Sequence, residues 1–201
     1  MADEIGTYRE GLADLLKSAG TTEWSDEELD AAIRLALMDL SQRLPRSLSS
    51  DVTMAEAGRR IALTALADCQ WVEEVWWPYT PGDPRRHQAP FEVRDGWLSL
   101  FTIPEPRAGD TVHLLYAGRH AIAGLDGATA TTVPGEWRGI VTLGAAGYAA
   151  AAKASAMARE YTWPAGTAAA TRNWSEMMLA LFEARLGAVR SPAMQAWVTW
   201  G

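Results

Sequence analysis

The hydrophobic period of this chain changes twice, near Pro45 and again near Pro134. Before Pro45 apolar residues recur every three or four positions; across 47–133 they alternate or cluster with Val and Trp; after Pro134 the helical spacing returns. Each period suits only one kind of backbone, because the wrong one would turn part of the apolar set to water. The chain therefore reads as α+β. A helical bundle core, residues 1–46 and 134–190, carries an inserted small antiparallel β-sheet domain at 47–133 and ends in a docking tail, 191–201.

The sharpest start signal belongs to the second helix. Ser25 is a good N-cap, Glu28 completes a capping box, and Trp24 can staple onto Leu29. Leu29, Ile33, Leu37, Leu40 and Leu44 then recur on one side, with Asp30–Arg34 and Asp39–Arg43 as expected i,i+4 ion pairs on the other. The helix should stop near Pro45. A shorter helix over about 4–18, with Tyr8, Leu12, Leu15 and Leu16 inward, precedes it through a turn near Gly20.

Residues 48–54 and 59–66 admit a strand or a short helix, with strand as the expectation for both; 71–77 is a strand stopped by Pro78. The strongest β signal lies at 91–100, where Asp95-Gly96 is a preferred two-residue type I′ turn. That turn pairs Val93 with Leu98 and Phe91 with Leu100 on an apolar face, and Arg94 with Trp97 and Glu92 with Ser99 on a mixed one. A third strand with Val112, Leu114 and Tyr116 inward should follow the turn at 104–110, giving one small sheet.

Residues 118–132, rich in Gly, Ala and Thr, read as a partly extended connection. Pro134 suits the first turn of an alanine-rich helix carrying Trp137, Ile140, Val141 and Tyr148 to about Tyr161. Within it Gly144, Ala145, Gly147, Ala149 and Ala152 allow close approach of another helix. A last helix, about 168–186, places Trp174, Met177, Met178, Leu181, Phe182 and Leu186 on one stripe, with Gly187 as terminator. The tail contains Pro192, Trp197 and Trp200 and is too apolar to be idle, so it folds back or binds a neighbour.

Composition limits the function classes. At 201 residues and 48% hydrophobic the chain can bury a real core as one large domain, or as one domain with a small insert. Its net charge of −7, with lysine almost absent, argues against a groove that neutralises many phosphates; a smooth DNA conduit would want such repulsion. Cys69 is the only cysteine, which excludes an internal disulfide or a thiolate cluster and fits a reducing compartment. The acidic N-terminus does not resemble a signal peptide. The longest apolar run, 139–152, falls short of the ~20 residues that cross a bilayer, so no membrane span is expected.

No catalytic constellation emerges. His87, His113 and His120 lack metal-ligand spacing, so neither a metal nor a cofactor is expected, and no Gly-x-Ser-x-Gly elbow or local motif around Cys69 supports nucleophilic catalysis. Asp26, Glu27 and Glu28 are explained by the helix dipole, and Gly144-Ala145-Ala146-Gly147 by helix packing rather than phosphate binding. The loop at 78–90 contains Arg85 and Arg86, which reads as a solvated hairpin loop or as a contact to an acidic surface. Ten tryptophans are many for this length; most must be core, and Trp163, Trp197 and Trp200 are candidate interface anchors.

Two stretches carry a resemblance to a known family. Trp24-Ser25-Asp26-Glu27-Glu28-Leu29-Asp30-Ala31-Ala32-Ile33 opens a helix ending in Arg43-Leu44-Pro45, and the alanine-rich helix from Pro134 precedes the helix over 174–186. Together they resemble the head-to-tail adaptor (connector, head-completion) proteins of tailed bacteriophages, over roughly the helical half of the chain. The resemblance implies a non-enzymatic structural protein of the virion neck, assembled in the bacterial cytoplasm. Its copies would form a homo-oligomeric ring, a dodecamer, under the portal protein, lining a DNA channel and meeting a tail or stopper protein. The C-terminal segment would dock on the portal through Trp197 and Trp200, with Arg85 and Arg86 adding polar contacts. The β insert is larger than the short hairpin of compact adaptors. The alternative from the residues themselves is a ligand- or carbohydrate-binding module that stacks sugars on exposed tryptophans in a row, Trp76 and Trp97 for example.

Overall fold

The computed structural model describes residues 4–19, 24–82, 87–160, 163–164 and 166–189. They form an α+β fold of four α-helices and two small antiparallel sheets. The chain divides into a helical unit, up to Leu44 and from His120 onward, and a β unit, Pro45 to Arg119.

In the helical unit, α1 spans Ile5–Leu16 and is extended by a 3-10 turn, Lys17–Ala19. α2 spans Asp26–Arg43 and starts as its sequence dictates. The Ser25 hydroxyl accepts from the Glu28 N–H at 3.2 Å, and the Glu28 carboxylate accepts from the Ser25 N–H at 2.9 Å. Trp24 packs against the core cluster that holds Leu29.

The charges of α2 do not pair along their own helix. The Arg9 guanidinium of α1 forks onto Asp30 at 2.8 and 2.7 Å, and Arg34 bonds Asp126 at 2.8 Å. Asp39 accepts from the Tyr148 hydroxyl, and Arg43 lies 2.7 Å from Glu183. For Asp30 and Arg34 a forked guanidinium–carboxylate contact outweighs an exposed i,i+4 pair of about 0.3–0.5 kcal/mol, while Asp39 takes a hydroxyl donor and Arg43 a single carboxylate contact. Hydrogen bonding to Arg9 holds the Asp30 carboxyl below its ordinary value, with burial acting against it.

α3, Arg138–Met157, begins after a 3-10 turn at Gly135–Trp137, so Pro134 precedes the helix instead of entering its first turn. It is the centre of the unit. Ile140, Val141, Ala145, Ala146, Ala149 and Ala150 are buried, and small residues on several sides let the other helices come near. α4, Thr167–Ala188, comes closest: a methyl added at Gly147 would stand 2.6 Å from Leu179 Cγ, and one at Gly144 would stand 2.9 Å from the Phe182 ring. The Ser175 hydroxyl donates to the Gly147 carbonyl at 2.8 Å, sealing the contact. α4 continues through Gly187 to Ala188, so that glycine does not end it.

Residues 120–133, expected in the insert, belong to the helical unit. Ile122, Leu125 and Val133 are buried in its core, and the Thr132 and Thr131 hydroxyls accept from the N–H groups of Ala121 and Ala123 at 2.8 and 2.9 Å. Three apolar anchors in a Gly-, Ala- and Thr-rich stretch have no period, so composition alone reads as a connection.

The β unit holds β1 (Arg46–Thr53), β2 (Arg60–Ala62), β3 (Cys69–Trp76), β4 (Phe91–Arg94), β5 (Trp97–Leu100) and β6 (Thr111–Gly118). Residues 59–66 split between the two options, β2 followed by a 3-10 turn at Leu63–Ala65. β4 and β5 pair in the register that the Asp95-Gly96 turn requires, with both turn residues at positive φ. The single expected sheet is instead two, ordered β1-β6-β3 and β2-β5-β4, all antiparallel. β6 lies instead between β1 and β3, which pair with its backbone along both edges, while Val112, Leu114 and Tyr116 enter the core with Ile61, Leu98 and Leu100 of the other sheet. Both sheets face one core, containing Val75, Leu98, Leu100, Val112 and Leu114. Val93, expected on the apolar face of the hairpin, is 44% exposed.

Candidate functional site

The most site-like concavity is a cleft of about 360 Å³ in the helical unit, between α2 and α3. Its origin is the sequence of α3, where Ala149, Ala152 and Ala156 recur at spacings of three and four and leave the interhelical space unfilled. Ala31 and Leu35 form the opposing wall, and Leu35 is 43% exposed. Trp24 and Trp163 complete the lining. The Lys153 ammonium sits 5.2 Å from the Trp24 ring centroid and 3.8 Å from Glu28, while the Trp163 indole N–H donates to Glu160 at 3.0 Å. The cleft is thus apolar within and charged at the rim, suited to holding apolar side chains rather than to bond-making chemistry.

A second surface lies on α4. The expected six-residue stripe divides: Met178, Phe182 and Leu186 are buried and Trp174 is half-buried, but Met177 and Leu181 are 51% and 44% exposed. One helix cannot bury six large residues spread over so wide an arc against a single neighbour, so the outer ones are left in water.

In the β unit Trp76 is buried. His113 stacks against both Trp76 and Tyr79, ring centroids 4.8 and 4.6 Å away, and its Nδ1 lies 2.5 Å from Asp51. Among the described residues no hydroxyl or thiol bonds the other ring nitrogen, so this pair lacks the nucleophile that a catalytic dyad would activate. Trp97 is exposed on the other sheet, beside Phe101, Arg60, Glu92 and Arg94. Trp76 and Trp97 therefore do not form a row. Burial raises the Cys69 thiol above its ordinary value, as expected for a packed side chain and not an activated one.

His120 is buried, its backbone N–H donating to Ser41 and its ring nitrogens 2.8 Å from the Leu44 carbonyl and 3.1 Å from that of Thr132. His87 is exposed. Among the described residues no three His, Cys, Asp or Glu side chains converge as metal ligands, and no helix is long and apolar enough to cross a membrane. Of the acidic trio, Asp26 pairs with Arg9 at 2.5 Å and Glu28 caps α2. Trp163 is 40% exposed. Arg85, Arg86, Trp197 and Trp200 lie outside the described residues. The cleft was not anticipated from sequence; the alanine repeat at 149, 152 and 156 was its available signal.

Compared with known proteins, the chain matches no family model and no curated protein sequence.

Proposed function

We propose that this chain is a structural assembly protein without enzymatic activity, a head-to-tail adaptor of a tailed bacteriophage. Its copies form a dodecameric ring in the virion neck between the portal and a tail or stopper protein, and DNA passes through the ring without sequence-specific contacts. The observation that carries this reading is the exposure of large apolar side chains on a well-packed helical unit: Leu35, Met38, Trp163, Met177 and Leu181 are each at least 40% exposed. Two apolar surfaces, the α2–α3 cleft with Leu35 and Trp163 and the outer face of α4 with Met177 and Leu181, offer cover for a partner. The net charge of −7 is in keeping with a wall that repels DNA. Trp197 and Trp200 anchor the C-terminal segment to the portal, and Arg85 and Arg86 add polar contacts.

The test is co-purification of the full chain with the portal protein of the same genome, followed by negative-stain imaging. A ring stacked on the portal is expected, and removal of residues 191–201 should abolish docking with circular dichroism unchanged. A chain that stays monomeric and ignores the portal refutes the reading.

One observation favours a second reading. Trp97 and Phe101, 45% and 57% exposed, share a surface with Arg60, Glu92 and Arg94, an aromatic face edged by hydrogen-bonding groups as sugar stacking requires. A glycan screen decides it: binding that Trp97→Ala removes, without portal association, would transfer the assignment to a carbohydrate-binding module.

A further inference from the structure

His120 is held in a way that only one of its protonation states satisfies. Its Nε2 lies 2.8 Å from the Leu44 carbonyl oxygen and its Nδ1 lies 3.1 Å from that of Thr132. A carbonyl oxygen accepts and never donates, whereas a neutral imidazole has one N–H and one bare nitrogen. With a single ring proton, a nitrogen lone pair would face a carbonyl lone pair in a packed site, since His120 is only 7% exposed. With two, each oxygen receives a hydrogen bond. We propose that His120 is a protonation-dependent clasp at the root of the β unit, doubly protonated while it grips both carbonyls and releasing one of them when a proton leaves.

The surroundings fix the ring and favour the charged form. Leu44 is the C-cap residue of α2, where the carbonyl end of the helix dipole attracts a cation. The His120 backbone N–H donates to Ser41 Oγ at 3.0 Å, and that hydroxyl donates to the Leu37 carbonyl at 2.7 Å, so the residue is anchored to the last turns of α2. Trp137 meets the imidazole in a T-shaped contact, ring centroids 5.7 Å apart, which hinders the ring from turning its nitrogens away. Burial opposes a charge, and so does Arg46, whose guanidinium reaches the carbonyl of Arg119, the chain neighbour of His120. The other charges on these elements are engaged elsewhere or balanced. Asp39 is bonded to Tyr148, Arg43 to Glu183 and Asp126 to Arg34, while Glu136 and Arg138, on either side of Trp137, are of opposite sign. Losing either ring hydrogen bond sets a carbonyl against a lone pair, and that is the larger cost.

The position gives the clasp its consequence. The chain leaves the helical unit after Leu44 and returns to it at His120, with the whole β unit between. The Nε2 bond therefore ties the two crossings to each other, and the Nδ1 bond ties the second crossing to Thr132. Loss of a proton loosens this root and leaves the sheets intact. A histidine of this kind stabilises fully below its unfolded value of about 6.5 and ceases to do so as pH rises through its higher folded one. The inference holds whether or not the chain is an adaptor.

The test is nitrogen-15 NMR of the imidazoles in the full chain between about pH 6 and pH 9, with His87→Gln and His113→Gln assigning the His120 signals by elimination. At about pH 7.5, one unit above a free imidazole, both His120 nitrogens should still be protonated in half of the molecules or more. A His120 ring with one bare nitrogen in nearly all molecules at that pH overturns the proposal. Urea unfolding of His120→Gln is the second readout, because an amide side chain can donate to one of the two carbonyls but not to both. Its deficit against the parent should shrink by nearly tenfold in the unfolding constant between about pH 6 and pH 9. A deficit that stays constant with pH also overturns the proposal, and if that variant does not fold, the titration of the parent decides alone.

Discussion

Gly147 offers a direct test of how the helical unit is packed. A Cβ at that position would stand 2.6 and 2.7 Å from Leu179 Cγ and Cδ2, and 3.2 Å from the Leu179 backbone nitrogen. The side chain can rotate away, but the backbone nitrogen cannot, so Gly147→Ala must push α4 outward and stretch the 2.8 Å bond from Ser175 to the Gly147 carbonyl. Overpacking of this kind costs about 1–3 kcal/mol, whereas exchanging glycine for alanine inside a helix returns about 1 kcal/mol. The net expectation is a loss of up to roughly 2 kcal/mol. Gly11 in α1 is the control, because a Cβ there would meet only Thr142 Cγ2 at an ordinary 3.7 Å. Gly11→Ala should therefore stabilise by about 0.5–1 kcal/mol through propensity alone. Urea unfolding followed at 222 nm reads both variants against the parent. A Gly147→Ala protein that gains stability as Gly11→Ala does would refute the claim that α3 and α4 touch through this glycine.

The other predictions concern single interactions. Ser25→Ala removes the cap of α2 and should cost about 1 kcal/mol in the same urea assay, since the Glu28 N–H loses its side-chain partner. The Arg9–Asp30 fork should show a coupling of about 1.5–3 kcal/mol in a double-mutant cycle with Arg9→Ala and Asp30→Ala. Because the Asp30 pKa is lowered on folding, its contribution is complete above the unfolded value and is lost as pH falls through the folded one. Asp30→Asn should accordingly flatten the acid limb of the stability profile. Burial, with help from Asp39, pushes the Tyr148 phenol up to about 12. Its stabilising effect is present below the ordinary value of about 10 and disappears as pH rises through 12. An ultraviolet titration should show a phenol near 12 that is missing in Tyr148→Phe; an unchanged curve would count against the contact.

What the sequence settled by itself was local. Ser25 and Glu28 fix the start of α2 because both capping bonds span only three residues, and Asp95-Gly96 fixes the β4–β5 register because a tight turn with two positive φ angles permits no other. The glycines and alanines of α3 announced a close helix neighbour for a similar reason: the absence of a side chain is a property of the residue and needs no partner to be read. Only the tertiary structure decided what depends on competition between distant partners. The charged residues of α2 abandoned their i,i+4 neighbours because Arg9, Asp126, Tyr148 and Glu183 offered better geometry from far along the chain. β6 joined β1 and β3 instead of extending the hairpin, and α4 buried one edge of its apolar arc while exposing the other. The cleft belongs to this second class, since a groove is the space between two helices and neither sequence contains it alone. Apolar periodicity says that a residue seeks cover; which surface provides it is settled by all the elements that compete for the same core.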